Sequence, residues 1–285
     1  MIIKDYFETE AASQDLLRFE KRAWGIYSDI LNKREVKRIL WLEELVAEKG
    51  HVPKCILVEN AMRKLNGGYF ELVRKYAYSV AADEIANGYD RMGKTDFGGY
   101  WRYHVRNFHF MDFWPRYFSF LDYAANAINE MSNYKLCEDI LIDRTQTYQV
   151  YDMLQAYHAC ANKIGLLEQR DRHDLTHFLY MMDVEDDESL GDLLKTLRNK
   201  ITHKYLPGID HIAPGWAPSL FSDTRKKKFS DIHDLALKGT PEYKFEELEP
   251  IAKQLLFRIL EALDFLQQTP FVQSCIERIE FMKDK

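Results

Sequence analysis

A chain of 285 residues with 45 acidic and 39 basic side chains carries a formal net charge of -6, and 46% of its residues are apolar. The acidic balance excludes a protein that coats nucleic acid nonspecifically, because such binding needs many phosphates neutralised at once; the apolar fraction supplies core for one large helical domain or two smaller ones. Charges interrupt the first 30 residues and no later stretch approaches 18 uncharged ones, so neither a secretory leader nor a membrane span is expected and the chain reads as cytoplasmic.

Helical periodicity dominates, Gly and Pro gather at a few breakpoints and sustained alternation is lacking, which predicts a nearly all-α fold. The pattern predicts one long or kinked helix over 14–48, closed by Gly50 and Pro53, and a second over 56–87 with Gly67 and Gly68 as its candidate break. Gly88, Gly93, Gly98 and Gly99 make 87–99 the candidate boundary between an N-terminal helical segment, 1–95, and a helical bundle domain, 96–285.

From Tyr100 to Met131 the rings of Trp101, Tyr103, Phe108, Phe110, Phe113, Trp114, Tyr117, Phe118, Phe120 and Tyr123 predict a central helix, apolar on nearly every side. Plain core is the ordinary reading of these rings and a base-stacking cleft the functional one. Pro115 is expected to kink this helix or to sit in the first turn of a new one capped at Asp112 or Trp114. His104 and His109 read as partly buried core histidines.

A second core helix is expected over 145–167, on Val150, Met153, Leu154, Tyr157, Ala161 and Ile164. A third begins near Ser189, where Ser189 and Asp192 resemble a capping box and the acidic run Glu185 to Glu188 suits the positive end of a helix. A fourth, 245–267, carries Leu248, Ile251, Leu255, Ile259, Ala262 and Leu266 on one face, and a tail helix covers 270–282.

Four dispersed cysteines, Cys55, Cys137, Cys160 and Cys275, without a Cys-x-x-Cys spacing, read as reduced core thiols. His173 and His177 with Asp174 between them offer half of a metal site, but no third ligand stands at a familiar spacing, so no metal and no cofactor are expected. Arg225, Lys226, Lys227 and Lys228, near Trp216, form the densest basic run; a solvated loop is its ordinary reading and a local RNA patch its functional one.

Residues 198 to 205 read Arg-Asn-Lys-Ile-Thr-His-Lys-Tyr and join a permanent cation, an amide and a titratable imidazole. A bare Arg-x4-His spacing is expected roughly 0.5 times by chance in such a chain, and Arg172 with His177 repeats it. Asn directly after the Arg and Tyr two places after the His make the string far rarer, about 0.001 chance matches. Leu190, Leu193, Leu194, Leu197 and Ile201 mark the core side of its helix. At 100° per residue, Arg198, Asn199, Thr202 and His203 fan across roughly 140° of the other side. Pro207 and Gly208 stop the helix after Tyr205, leaving His203 near a C-terminal end whose partial negative charge favours imidazolium.

Arg-Asn-x-x-x-His-x-Tyr at a helix end, followed by Leu206-Pro207-Gly208-Ile209-Asp210, resembles the signature of the HEPN superfamily, and the Tyr-containing version is similar to its HepT-type toxins. The resemblance covers about 97–268 and leaves the first 95 residues unmatched, which makes this chain longer than such toxins. It implies an up-and-down helical bundle that forms a homodimer, with two Arg-x4-His motifs facing each other across a groove. It implies His203, Arg198 and Asn199 as catalytic residues of a metal-independent endoribonuclease of toxin, antiphage or RNA-processing type, with Thr202, Lys204 and Tyr205 beside the RNA substrate. Tyr205 also matches the tyrosine to which a nucleotidyltransferase antitoxin attaches AMP in HepT-type toxins.

Such a nuclease uses the RNA 2′-hydroxyl as nucleophile on the adjacent phosphate and leaves a 2′,3′-cyclic phosphate and a 5′-hydroxyl. Neutral His203 accepts the hydroxyl proton. Arg198 holds the non-bridging oxygens and stabilises the added charge, while Asn199 orients phosphate or imidazole. For an isolated Arg–His pair, a helix cap or an interface bond is the better reading, and other HEPN proteins are non-catalytic nucleotide-binding or interaction modules. Loss of cleavage in Arg198→Ala and His203→Ala separates the enzyme from the binding module, which cleaves no RNA.

Overall fold

A computed structural model describes residues 10–31, 53–132, 169–182, 184, 188–203, 209–210 and 243–273, and side chains within them except at 10–11, 53–59, 129–132, 169–172, 188–189 and 199–203. In chain order the helices are α1 (Glu10–Leu31), α2 (Pro53–Arg91), α3 (Thr95–Tyr100), a π-helical stretch (Trp101–Arg106), α4 (Asn107–Ser132), α5 (Gln169–Met182), α6 (Glu188–His203) and α7 (Phe245–Gln268). Among the described residues there is no strand, only an isolated bridge between Ile209 and Tyr243. The fold class is all-α, as expected.

Several elements depart from the sequence expectation. Helix α1 starts by Glu10, ahead of residue 14. Pro53 stands at the start of α2, in keeping with a residue whose missing N–H costs nothing in a first turn; residues 32–52, where the first predicted helix was expected to close, lie outside the described residues. Gly67 and Gly68 do not break α2, which runs 39 residues. A Cβ on Gly68 would lie 3.0 Å from Cδ2 of Phe120, so the glycine admits a ring rather than a bend. Pro115 lies inside α4 without opening a new helix. The buried Phe113 and Trp114 just before it hold the helix where one backbone bond is forgone.

The aromatic load is one-sided. Trp101, Phe110, Phe113, Trp114, Tyr117 and Phe120 are buried, whereas Tyr103, Phe108 and Tyr123 are exposed. Helix α2 buries Leu65, Tyr69, Leu72, Val73, Tyr76 and Ala77 in consecutive turns, along one broad face. Helix α7 matches its expected bounds and buries Leu248, Leu255, Ile259, Ala262 and Leu266, with Ile251 half-buried. Helix α5 had no expected counterpart. The helix expected over 145–167, the basic run 225–228 and most of the 270–282 tail lie outside the described residues, whose last four, 270–273, are helical. No helix among the described residues is long and apolar enough to cross a membrane.

Two compact units emerge, each gathered from three segments on either side of residue 95. One comprises Met1–Lys33, Leu72–Arg116 and Asp187–Gln254. In it α1 buries Ala12, Phe19, Ala23, Ile26 and Ile30, and polar side chains tie it to α2: Tyr89 donates to Asp15, Tyr78 donates to Glu20 at 2.5 Å, and Arg22 pairs with Glu84. Lys75 meets Asp112 at 2.7 Å, Tyr76 donates to Glu249, and the rings of Phe110 and Phe245 cross edge to face at 4.7 Å.

The turn from α2 to α3 is short and specific. Gly93 takes φ +72°, its N–H bonds Asp90 O at 2.9 Å and the Lys94 N–H bonds Tyr89 O at 3.0 Å, the paired bonds of a Schellman stop. Gly98 then crosses α2 so closely that a Cβ would sit 2.2 Å from Asp90 Oδ1 and 3.0 Å from the Ala86 carbonyl oxygen. Asp90 in turn pairs with Arg102. Gly98→Ala is expected to push Asp90 off Arg102 and destabilise the protein by about 1–3 kcal/mol, the usual cost of overpacking, read by denaturant unfolding.

His104 is exposed, contrary to expectation, and stacks on Tyr100 at 5.4 Å. His109 is half-buried among Phe19, Tyr78 and Phe108, and its Nδ1 has no hydrogen-bond partner among the described residues. Burial above all, then repulsion from Lys75 and Arg74 against attraction from Asp112, pushes its imidazole down to about 4. The unfolded chain, with an imidazole near 6.5, therefore binds more protons between these values. The stabilisation is whole above about pH 6.5 and is lost as pH falls toward 4. His109→Phe is expected to flatten the fall in Tm between about pH 7 and about pH 4.5 relative to the parent; parallel curves would show that His109 titrates normally.

The second unit comprises Arg34–Glu71, Tyr117–Asp186 and Leu255–Lys285. Leu175, Phe178, Leu179 and Met182 form the buried face of α5, and His177 meets Phe265 of α7 edge to face at 4.9 Å. Thr269 ends α7 and accepts the Val272 N–H at 3.4 Å as the next helix begins.

Candidate functional site

Helix α6 carries the motif. Leu190, Leu194 and Leu197 recur at i, i+4 and i+7 and are buried at 6%, 4% and 0% exposure, so the helix is seated by its N-terminal and middle turns. Arg198 follows Leu197 directly and is half-buried. Asn199, Thr202 and His203 occupy the last described turns of α6, Glu188–His203. Their backbone is described and their side chains are not. Lys204 and Tyr205 lie outside the described residues. A rise of about 1.5 Å per residue separates the Arg198 and His203 backbones by about 7.5 Å along the axis, with Asn199 and His203 one turn apart.

The chain resumes at Ile209 and Asp210, the end of the Leu-Pro-Gly-Ile-Asp segment, and there it is bound tightly. Asn107 donates to the Ile209 carbonyl at 2.7 Å. Arg106 pairs with Asp210 and also with Asp83, the latter at 2.7 Å. Its Nε donates to the Asn107 side-chain oxygen at 3.0 Å, and its guanidinium lies 4.4 Å over the Phe245 ring, a cation–π contact. The Asp210 N–H bonds Tyr243 O at 2.9 Å, and its Oδ1 accepts the Phe245 N–H at 3.1 Å, satisfying an orphan donor at the start of α7. Asp210 does this from φ +56°, a left-handed conformation that Asp adopts more readily than most residues.

Sequence reasoning missed this cluster. The available signal was Arg106 four residues before Phe110 and seven before Phe113, a charge at the spacing of a buried aromatic stripe. A charge on a core stripe demands acidic partners. The cluster ties Ile209 and Asp210 to α2, the π-helical stretch, α4 and α7.

Among the described residues no group of three or more His, Cys, Asp or Glu is placed to hold a metal. His173 and His177 stack at 6.2 Å, with the His173 imidazole 79% exposed and 3.6 Å from Asp174. Comparisons with protein-family models, with curated proteins and with solved structures found no match to this chain.

Proposed function

We propose that this protein is a metal-independent endoribonuclease of the HEPN type, a cytoplasmic homodimer that cleaves RNA by attack of the 2′-hydroxyl on the adjacent phosphate. His203 is its general base, Arg198 its phosphate and transition-state clamp and Asn199 its orienting amide, with Thr202, Lys204 and Tyr205 against the RNA. The observation that carries the reading is the Arg-Asn-x-x-x-His-x-Tyr string, whose residues 198–203 lie on the last described turns of a helix seated by three buried leucines. The resemblance to HEPN proteins supports a toxin, antiphage or RNA-processing role, and Tyr205 is the residue a nucleotidyltransferase partner modifies. The net charge of -6 favours a second reading, a non-catalytic module for nucleotide or protein binding.

The test is incubation of the full chain with mixed structured and single-stranded RNA in EDTA, beside His203→Ala purified identically. Cleavage that leaves cyclic-phosphate ends and vanishes in the variant supports the nuclease. Equal cleavage by both proteins removes His203 from the chemistry, and no cleavage of any RNA favours the binding module.

A further inference from the structure

Helix α1 places Arg18, Lys21, Arg22 and Gly25 at i, i+3, i+4 and i+7, on one face. With Glu84 and Ile85 of α2 they line an open cavity of about 390 Å³, a size in the range of about 300–1,000 Å³ that holds small ligands. Three features of this face work against the isolated protein. Like charges one turn apart repel, and Arg18 and Lys21 are exposed with no hydrogen-bond or ion-pair partner among the described residues. Glu84 takes Arg22 side-on, Nε to Oε2 at 2.6 Å and Nη2 to Oε1 at 2.7 Å, which orients the guanidinium and leaves the Nη1 hydrogens for another acceptor; the charge of Asp29 also acts on Arg22, so the neighbouring carboxylates serve Arg22 rather than Arg18 and Lys21. Gly25 weakens the interior of α1, yet a Cβ there would meet nothing within 4 Å. No close approach of chains explains it. What the missing side chain leaves is room in the cavity.

An anion resolves the charge excess, and the oxygens of a phosphate suit two arginines and a lysine converging from one helix face. Ile85 gives the cavity an apolar wall for the remainder of such a ligand. We propose that this cavity binds the phosphates of a nucleotide, supplied either by a free nucleotide or by an RNA strand, through Arg18, Lys21 and the open edge of Arg22. The site shares no residue with the α6 motif and does not rest on the ribonuclease reading.

The test uses the full chain as His203→Ala, so that RNA stays intact, with ATP titrated calorimetrically in EDTA and a fluorescein-labelled single-stranded RNA followed by polarisation. Saturable binding that weakens with salt is expected for one or both probes. ATP alone identifies a free nucleotide as the source, and RNA identifies a strand. Arg18→Ala and Lys21→Ala, at exposed positions, each weaken binding about ten-fold, as loss of a charged hydrogen bond does. Gly25→Leu fills the cavity and weakens binding while raising Tm through better helix propensity, a combination that misfolding cannot produce. The proposal is overturned if neither probe binds saturably, or if binding is unmoved by all three substitutions.

Discussion

Arg106→Leu is expected to destabilise the protein by about 3–5 kcal/mol, the range found when one partner of a buried ion pair is removed, and to lower Tm by about 10 °C in a chain of this size. The guanidinium is 3% exposed and holds two carboxylates that are only 21% and 22% exposed. Its loss leaves Asp83 and Asp210 facing each other across a site with little water. Asn107 loses a donor to its side-chain oxygen at the same time. Arg106→Lys is expected to recover less than half of the loss, because an ammonium cannot span both carboxylates and Asn107 with a rigid fork or stack on Phe245. The sharper check is the triple change Arg106→Leu, Asp83→Asn and Asp210→Asn. If the cost of the single change is mainly uncompensated charge, removing the two carboxylates restores most of it. Denaturant unfolding of the three proteins measures this, and an Arg106→Leu variant within about 1 kcal/mol of the parent would show that water reaches the cluster freely.

The elements that the sequence displayed were those with a single, uninterrupted stripe. Helices α6 and α7 were legible because leucines recur every three to four residues and glycine or proline lies beyond the ends; the burial of Leu190, Leu194 and Leu197 follows that spacing. Reading failed where a residue's role is set by something distant in the chain. Gly68 looks like a breaker until Phe120 is placed against it, and Gly98 looks like a domain boundary until Asp90 and Ala86 are seen beneath it. The π-helical stretch from Trp101 to Arg106 shifts the register between the glycine-rich turn and the aromatic stripe, and no composition signal announces such a turn. Of the candidate site, the spacing of Arg198, Asn199 and His203 on one helix was legible. The Arg106–Asp210 anchor was not, because its members stand 104 residues apart.

The α6 motif carries the larger functional prediction. If RNA is cut by the proposed chemistry, His203→Ala lowers kcat/KM by about 10²–10⁴-fold, the usual contribution of a positioned general acid or base. Arg198→Ala lowers it by about 10²–10³-fold through lost stabilisation of the developing phosphorane charge. Both losses fall mainly on kcat, since the groups act on charge and protons that move in the transition state. Arg198→Lys keeps the charge but not the bidentate geometry and is expected between Ala and the parent. In a dimer that uses one neutral imidazole as base and its protonated counterpart as acid, the kcat/KM profile is bell-shaped, with its limbs set by the two macroscopic steps of the His203 pair. Chelators leave the rate unchanged. If an RNA strand supplies the phosphates of the α1 cavity, Arg18→Ala and Lys21→Ala provide the internal contrast: they raise KM and leave the pH profile in place, because these groups hold phosphate without moving a proton. Cleavage that survives His203→Ala, or that EDTA abolishes, would exclude this mechanism and direct attention to another centre in the chain.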